Sequence, residues 1–378
     1  MNLDELRVKI DQLDGELLRL FEERMDIVSD VGEYKRDKGL PVLDRKREAE
    51  KLGGLRGKVR QDLEPYAHTL FSTLFRLGRS YQLDAQKPFL SLHQEIKDAA
   101  ANTQRNFPQD ATVACPGVEG AFSELACDKL FGRPSIQYFK TFDNIASAVE
   151  SGFCEYGVLP FENSTAGSVN KIYELLQSRN LKIVRSVRQK IVHHMMTAEG
   201  VMKEDVREIF SHEQAILQCS KFLEELAQVK ITMCENTAIA AKMVADSGRR
   251  DVAAICSLKC ADLYGLKSLA KNIQDEDNNY TRFICVSKRL EIYADATRTS
   301  IIMVLPHQAG SLYKAVSKFN ESGFNLTKLE SRPLGDSNFM FYLDFEASPY
   351  CDEFTVFMDE MQEFCEEFKY LGSYTEVV

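Results

Sequence analysis

The sequence predicts a multidomain protein of three parts: an all-α helical module, a two-lobed α/β module and a small α+β module of ferredoxin-like order. Three observations predict it. Up to about residue 84, apolar residues step by threes and fours; from about 111 to 290, short β-prone runs alternate with helical ones; and 298–378 reads as βαββαβ. At 378 residues and 44% hydrophobic content, the chain exceeds what one core usually serves.

The helical module opens on Asn2 and Glu5, a capping box. Leu6, Ile10, Leu13, Leu17, Leu20, Ile27 and Val31 then form a seam that predicts pairing with another helix. Arg24 falls inside this seam, and a guanidinium facing a packed interface is costly unless it meets an anion. Lys35 lies eleven residues on, roughly 16 Å of helical rise, and Arg7 flanks the start. Gly39-Leu40-Pro41 breaks the helix, a second opens at Asp44, and Pro65 starts a third that carries Tyr66, Leu70, Leu74, Leu77 and Gln82. In a chain of net charge −10 and pI ≈ 5.3, a nucleic-acid surface is disfavoured, so local clusters of Arg and Lys call for small anionic ligands.

Leu6-Arg7-x-x-Ile10-x-x-Leu13-Asp14, Glu23-Arg24, Val31-Gly32-x-x-Lys35 and Asp44-Arg45-x-Arg47-Glu48 resemble the all-helical chorismate mutases, in order and at matching spacings over residues 1–84. The resemblance implies that Arg7, Arg24, Lys35, Asp44, Arg47, Glu48 and Gln82 bind chorismate, in a dimer sharing the first helix with Arg7 reaching the partner's site. Gly78 departs from the family, where a serine is common. The rearrangement to prephenate transfers no proton, so the residue types suit clamping a dicarboxylate and stabilising charge on the breaking ether oxygen. Arg7, Arg24 and Arg47 are expected on carboxylates and neighbouring oxygens, Lys35 and Gln82 on the ether oxygen, and Glu48 on the ring hydroxyl.

Residues 85–110, polar with few apolar anchors, read as a linker. Beyond it come strand-like Thr112–Cys115, helical Ala121–Phe131, strand-like Ser135–Phe139, helical Asp143–Glu150, strand-like Glu155–Leu159, helical Ser168–Gln177 and one or two strands in Leu181–Met196. A second cycle follows in Glu208–Phe210, Gln214–Leu226, Ile231–Cys234, Thr237–Asp246, Val252–Cys256 and Leu258–Tyr264, with a return strand at Thr281–Val286. Two lobes with a crevice between them is the simplest architecture. Polar loops at 162–167, 211–214 and 235–237 precede helices; each is a helix cap or, together, a carboxylate-binding cleft. The return strand opens with Thr281 and Arg282, where strand ends line crevices.

Gly117-x-x-Gly120-Ala121-Phe122-Ser123, Pro160-Phe161-Glu162-Asn163-Ser164-Thr165-Ala166-Gly167, Ser211-His212-x-Gln214, Gln218-Cys219-Ser220-Lys221-Phe222 and Thr281-Arg282-Phe283 resemble prephenate dehydratase over residues 111–290. The resemblance implies that Asn163, Ser164, Thr165, Ser211, Gln218, Thr281 and Arg282 bind prephenate. Thr281, a weak acid, is expected to donate a hydrogen bond to the departing hydroxyl. His212 has the better pKa for acid work but reads first as a core or capping histidine. His193 and His194 alternate faces and make a poor metal pair; no metal or cofactor is expected.

In the last module, Ser300–Leu305, Ser311–Asn320, Leu326–Ser331, Phe339–Phe345, Asp352–Phe368 and Tyr370–Tyr374 give the βαββαβ order. His307-Gln308-Ala309-Gly310-Ser311-Leu312 and Asn325-Leu326-Thr327-Lys328-Leu329-Glu330-Ser331-Arg332-Pro333 resemble the ACT regulatory domain of dehydratases that sense phenylalanine. The resemblance implies an effector site at Gly310, Ser311, Leu312, Asn325, Glu330, Ser331 and Arg332. Together these resemblances imply a bifunctional chorismate mutase–prephenate dehydratase, feedback-inhibited by phenylalanine and homo-oligomeric, as dimer or tetramer. A dehydrogenase rival needs a dinucleotide fold, and the sequence has no Gly-x-Gly; a two-lobed solute-binding protein leaves the cationic helical seam unexplained. Ten cysteines without a Cys-x-x-Cys pair, a start without an apolar signal segment and no apolar run of membrane-spanning length predict a cytoplasmic protein with no membrane partner.

Overall fold

The computed structural model describes residues 2–38, 40, 44–55, 57–86, 91–226, 229–334 and 338–378. The first helix, α1 (Leu3–Asp37), forms the expected capping box: Asn2 Oδ1 accepts from the Glu5 N–H at 2.8 Å, and Glu5 accepts from the Asn2 N–H at 3.2 Å. The expected break at Gly39 and Pro41 lies outside the described residues. α2 (Arg45–Gly53) is capped by Asp44 and α3 (Glu64–Gln86) opens with Pro65 in its first turn, where the missing N–H costs nothing. The stretch expected to be a linker contains a further helix, α4 (Ser91–Asn102). Its Leu92 and Ile96, four apart, are buried and serve as the anchors that a polar composition concealed.

The alternating region gives β1 (Asp110–Pro116), α5 (Phe122–Leu130), β2 (Arg133–Phe139), α6 (Phe142–Ser151), β3 (Tyr156–Asn163), β4 (Gly167–Ser168), α7 (Asn170–Ser178), β5 (Lys182–Lys190) and β6 (His194–Thr197). It continues through β7 (Glu208–Ser211), α8 (Glu213–Leu217), α9 (Ser220–Glu224), β8 (Lys230–Met233), α10 (Thr237–Asp246), β9 (Val252–Cys256), α11 (Lys259–Tyr264), β10 (Lys267–Ala270) and β11 (Tyr280–Ser287). The single helix expected over 214–226 is two short ones. Asp275 accepts from the N–H groups of Ser220 and Lys221, both at 3.0 Å, and so starts α9 anew after Gln218.

The last stretch is β12 (Arg298–Val304), α12 (Ser311–Glu321), β13 (Asn325–Leu334), β14 (Asn338–Glu346), α13 (Asp352–Phe364), β15 (Glu367–Tyr374) and β16 (Glu376–Val377). α13 ends four residues earlier than expected. The final sheet has the order β13-β14-β12-β15, the ladder of a βαββαβ unit. Sheet order elsewhere is β16-β5-β11-β3-β1-β2, with β4 on β3, and β10-β6-β9-β7-β8. β16 thus leaves the last module and pairs in parallel with β5, Val377 opposite Val187.

Contacts group the chain into two compact units: 1–98 with 304–323 and 350–368, and 99–303 with 324–349 and 369–378. In the second, one core runs from the first α/β sheet into the last one, through Phe161, Tyr173, Ile284, Ile302, Tyr342 and Tyr374. Phe161, Tyr173 and Tyr342 meet with ring centroids 4.6–5.1 Å apart. Among the described residues no helix is long and apolar enough to cross a membrane.

Candidate active sites

A pocket of about 180 Å³ lies among α1, α2 and α3, lined by Arg24, Val28, Lys35, Asp44, Arg47, Glu48, Lys51, Phe75, Gly78, Arg79 and Gln82. Five basic side chains face two acidic ones there. Arg24 and Lys35, three turns apart on α1, share a face; Asp44 positions α2 by accepting from the Arg47 N–H at 2.9 Å. Arg24 lies over the Phe75 ring, 5.8 Å from its centroid, and burial draws its pKa down. Among the described residues no carboxylate pairs with it. Glu48, by contrast, accepts from Arg79. Gln82 is buried, its Oε1 has no hydrogen-bond partner among the described residues, and it fits because Gly32 lacks a Cβ, which would stand 3.0 Å from Gln82 Cγ. A Cβ at Gly78 would sit 3.5 Å from Arg24 Nη1, an ordinary contact.

Arg24 therefore does not share a face with the apolar seam, as the periodicity suggested. Leu6, Ile10, Leu13, Leu17, Leu20, Ile27 and Val31 are all exposed in this chain, while Arg24, Met25 and Val28 are half-buried. Arg7 does not line the pocket; it pairs with Asp4 at 3.4 Å. Seventeen residues of helix separate it from Arg24, about 25 Å of rise. Lys51 and Arg79 line the pocket without having been anticipated; each lies three residues from an expected contact, Glu48 and Gln82 respectively, a spacing that shares a helix face.

The second site is a cleft of about 580 Å³ inside the larger unit, where β1, β3 and β7 end and α5, α8 and α10 begin. Gly120 is held at φ 90°, and a Cβ there would come within 2.9 Å of Cys260 Sγ, so only glycine allows this entry to α5. Thr281 and Asn163 are directly opposed in the β11–β3 ladder, and Asn163 Nδ2 donates to Thr281 Oγ1 at 3.0 Å. Asn163 Oδ1 accepts from the N–H groups of Thr165 (3.0 Å) and Ala166 (2.9 Å), which shapes the turn. Gln218 enters from the break between α8 and α9, donates to Thr165 Oγ1 at 2.9 Å and meets His193 Nε2 at 3.0 Å. Burial holds the His193 pKa below the usual histidine range. His212 caps α8, its Nδ1 accepting from the Gln214 N–H at 3.2 Å, while still lining the cleft.

Four expected ligands do not line the cleft: Thr165, whose hydroxyl is engaged by Asn163 and Gln218, and Ser211, Ser164 and Arg282. Ser211 is fully buried and donates to the Ile255 carbonyl at 2.8 Å, because β7 is interior to the second sheet. Ser164 ties the turn to β11, donating to the Asn278 carbonyl and accepting from the Tyr280 N–H. Arg282 is turned to the opposite face of β11 from Thr281, as strand alternation requires. It pairs with Asp344 of β14 at 2.5 Å and Glu162 of β3 at 3.3 Å, and donates to Tyr374 Oη at 2.8 Å. Glu376 lies 3.2 Å from its Nε. Burial works against this charge, but Tyr374 and Asp344 raise its pKa well above that of a free guanidinium. Glu162 is shared with Lys328 of β13.

The sequence did not single out Lys140, the one lysine or arginine among the lining residues described, nor the apolar wall of Phe122, Phe142 and Ile191. Lys140 follows the end of β2, and a rule that strand ends line crevices would have found it. In the last module, Gly310 (φ 85°) opens α12 with no side-chain cap for Ser311 and Leu312. On β13, Asn325 and Ser331 belong to the exposed face. Lys328, Glu330 and Arg332 alternate onto the half-buried one, where Glu330 accepts from Ser168 at 3.2 Å and pairs with Arg332 at 3.0 Å.

Two family models match the chain: Chorismate mutase type II over residues 6–83 and Prephenate dehydratase over 113–291. A bifunctional chorismate mutase/prephenate dehydratase of Escherichia coli (strain K12) is 31% identical, covering 98% of this chain and 95% of that one. Arogenate dehydratase/prephenate dehydratase 2 of Arabidopsis thaliana is 37% identical over 76% of this chain and 77% of its own length. Among solved structures, the prephenate dehydratase of Arthrobacter aurescens in complex with L-Phe is 26% identical with a TM-score of 0.65, covering 70% of this chain and 89% of that one. The chain belongs to the family of bifunctional chorismate mutase/prephenate dehydratases.

Proposed function

We propose that the helical pocket rearranges chorismate to prephenate and that the α/β cleft converts prephenate to phenylpyruvate, with phenylalanine as feedback inhibitor. In the pocket, Arg24 and Arg47 bind carboxylates, Lys35 and Gln82 stabilise the ether oxygen, and Asp44 and Glu48 position α2 and the ring hydroxyl. Arg24, half-buried with no carboxylate partner among the described residues, suits an anionic substrate. The exposed apolar seam of α1 supports a homodimer or higher oligomer in which Arg7 of one subunit serves the pocket of another. The cysteines sit as buried or half-buried thiols, the usage of a reducing compartment, and we place the enzyme in the cytoplasm.

In the cleft, Lys140 and the starts of α5 and α10 receive the two carboxylates of prephenate, since helix N-termini present N–H groups to anions. Asn163, Thr165 and Gln218 orient Thr281, whose hydroxyl donates to the departing hydroxide as CO2 leaves and the ring becomes aromatic. Ser164 holds the turn and Ser211 the sheet behind it; Arg282 supports the strand that carries Thr281. Residues 298–378 act as an ACT domain for phenylalanine. Its candidate contacts are Gly310, Ser311 and Leu312 at the start of α12, and Asn325, Glu330, Ser331 and Arg332 on β13.

The observation that carries the dehydratase assignment is the hydrogen-bonded Asn163–Thr281 pair on the cleft wall. Thr281→Val keeps the β-branch and removes the hydroxyl. Phenylpyruvate formation from prephenate should fall by about 10²–10³, the cost of one oriented donor at a developing anion, with mutase turnover unchanged. A loss below threefold would remove Thr281 from the mechanism.

A further inference from the structure

His193 lines the cleft, is 2% exposed, and has no part in the mechanism above. Its place becomes clear when proton positions are assigned outward from the one group whose orientation the backbone fixes. Asn163 Oδ1 accepts from two backbone N–H groups, so it is the oxygen, and the Nδ2 gives its two hydrogens to the nearer acceptors, Asn279 Oδ1 at 2.8 Å and Thr281 Oγ1 at 3.0 Å, with the Tyr280 carbonyl farther off at 3.2 Å. The Thr165 hydroxyl lies 2.7 Å from Asn163 Oδ1, which can only accept, so Thr165 spends its proton there. Its oxygen can then only accept from Gln218, which must present Nε2 at 2.9 Å. That turns Gln218 Oε1 to His193 Nε2 at 3.0 Å, so Nε2 carries the ring proton.

We infer that His193 sets the direction of a hydrogen-bond chain, His193 to Gln218 to Thr165 to Asn163 to Thr281, and is a positioning residue for the dehydratase reaction. Every link donates the same way. Thr281 Oγ1 ends the chain as an acceptor from Asn163, so its own proton is left for the cleft. A donor at the far end is required: were Nε2 to bear a lone pair, Gln218 would have to reverse, and Thr165 would lose either its donor or its acceptor. Hydrogen bonds in such chains polarise one another, so the unit is cooperative. The ring is held for this task. Phe122 meets it edge-on, centroids 5.6 Å apart at 87°, and Nδ1 has no hydrogen-bond partner among the described residues, so Nε2 is the ring's one engaged nitrogen. The lowered pKa is in keeping with a neutral Nε2–H imidazole.

The inference rests on Thr281 acting as donor to the leaving hydroxyl, and the test separates the two. In the full-length enzyme, His193→Gln places an amide nitrogen near the Nε2 position, whereas His193→Asn reaches only the Nδ1 position. The expected result is a kcat for prephenate that falls about tenfold in His193→Asn, returns to within about threefold in His193→Gln, and shows little change in KM for either. In a Thr281→Val background, His193→Asn should add little, because the chain has nothing left to direct. ¹⁵N-histidine NMR of the wild-type enzyme, with His193→Gln identifying the resonance, should show the neutral Nε2–H tautomer at pH 7. An Nδ1–H tautomer, equal kcat losses in the Asn and Gln variants, or an undiminished His193→Asn effect without the Thr281 hydroxyl overturns the inference. If Thr281→Val itself costs less than threefold, the Thr281 assignment fails, whatever the histidine variants do. The urea midpoint of each variant, followed by the near-ultraviolet signal, reports whether the larger unit that carries His193 has folded.

Discussion

In the helical pocket, Arg24 lies over Phe75 with no carboxylate partner among the described residues, whereas in the larger unit Arg282 is 3% exposed and set among Asp344, Glu162 and Glu376. Both are arginines beside a predicted substrate site, and the same chemistry was expected of each. The difference lies in what else is buried nearby. A cation left without its own anion is available for a ligand's, while a cation whose neighbours include a fully buried aspartate has been committed to the fold. Each arrangement is costly in its own way, and the two respond differently to removal of the charge.

The largest effect should come from Arg282→Met, which strands Asp344 at 0% exposure together with its bonds to Ser300 and Tyr342. Breaking a buried pair costs about 3–5 kcal/mol, so a urea titration followed by the near-ultraviolet signal of the larger unit should show a much lower midpoint. Arg282→Met with Asp344→Asn should recover part of it. An unchanged midpoint in the single variant would mean that Arg282 is free for substrate after all. The same network bears on experiments that delete the last module. Removal of residues beyond 295 takes away Asp344, Tyr374 and β16, so loss of activity in such a truncation reports a broken core and not a missing regulator.

Arg24→Ala should reverse the pattern. Mutase kcat/KM should fall by about 10²–10³, with the thermal midpoint unchanged or raised and dehydratase turnover on supplied prephenate intact. Loss of both activities in a folded Arg24 variant would break the comparison, since the two charges would then serve one site.

The smallest expected effect on activity, and the most informative for regulation, belongs to Lys328→Met. Glu162 is shared with Arg282, so removing Lys328 leaves the carboxylate paired and should lower stability less than Arg282→Met does. Yet Glu162 precedes Asn163 on β3 and opposes Arg282 beside Thr281 on β11, so β13 and β14 each hold one end of a pair whose neighbours face the cleft. If phenylalanine acts through this sheet, inhibition of the dehydratase should weaken by roughly threefold to tenfold, against a typical coupling of about 1–3 kcal/mol. An unchanged inhibition curve would remove this ladder from the regulatory path.

Periodicity alone was enough to place α1, α10, β9 and β11 within a residue or two, because each is a long or strongly apolar run whose local pattern agrees with its tertiary setting. Six residues of the helical pocket, Arg24, Lys35, Asp44, Arg47, Glu48 and Gln82, were legible for a related reason: α1, α2 and α3 carry them on regular faces, so sequence spacing translates into spatial proximity. What stayed hidden depended on partners distant in sequence. Residues 91–102 became a helix because Leu92 and Ile96 found a core, and the helix expected after Ser211 split because Asp275, some fifty-five residues on, supplied a cap for Ser220.

By itself, then, the sequence determined the order of helical, alternating and βαββαβ stretches along the chain, the motifs that place it in its family, and the adjacency of a hydroxyl and a cation at the start of β11. Only the tertiary structure decided which way each of those two points. Thr281 and Arg282 are adjacent, strand alternation sends them to opposite faces, and no local signal says which face is cleft and which is core. That was fixed by β14 delivering Asp344 and β15 delivering Tyr374 to one side, and by Asn163 meeting Thr281 on the other. His193 shows the same limit: its neighbours in sequence are valine and histidine, and its role exists only because Gln218 and Thr165, from two other loops, extend its N–H across the cleft wall.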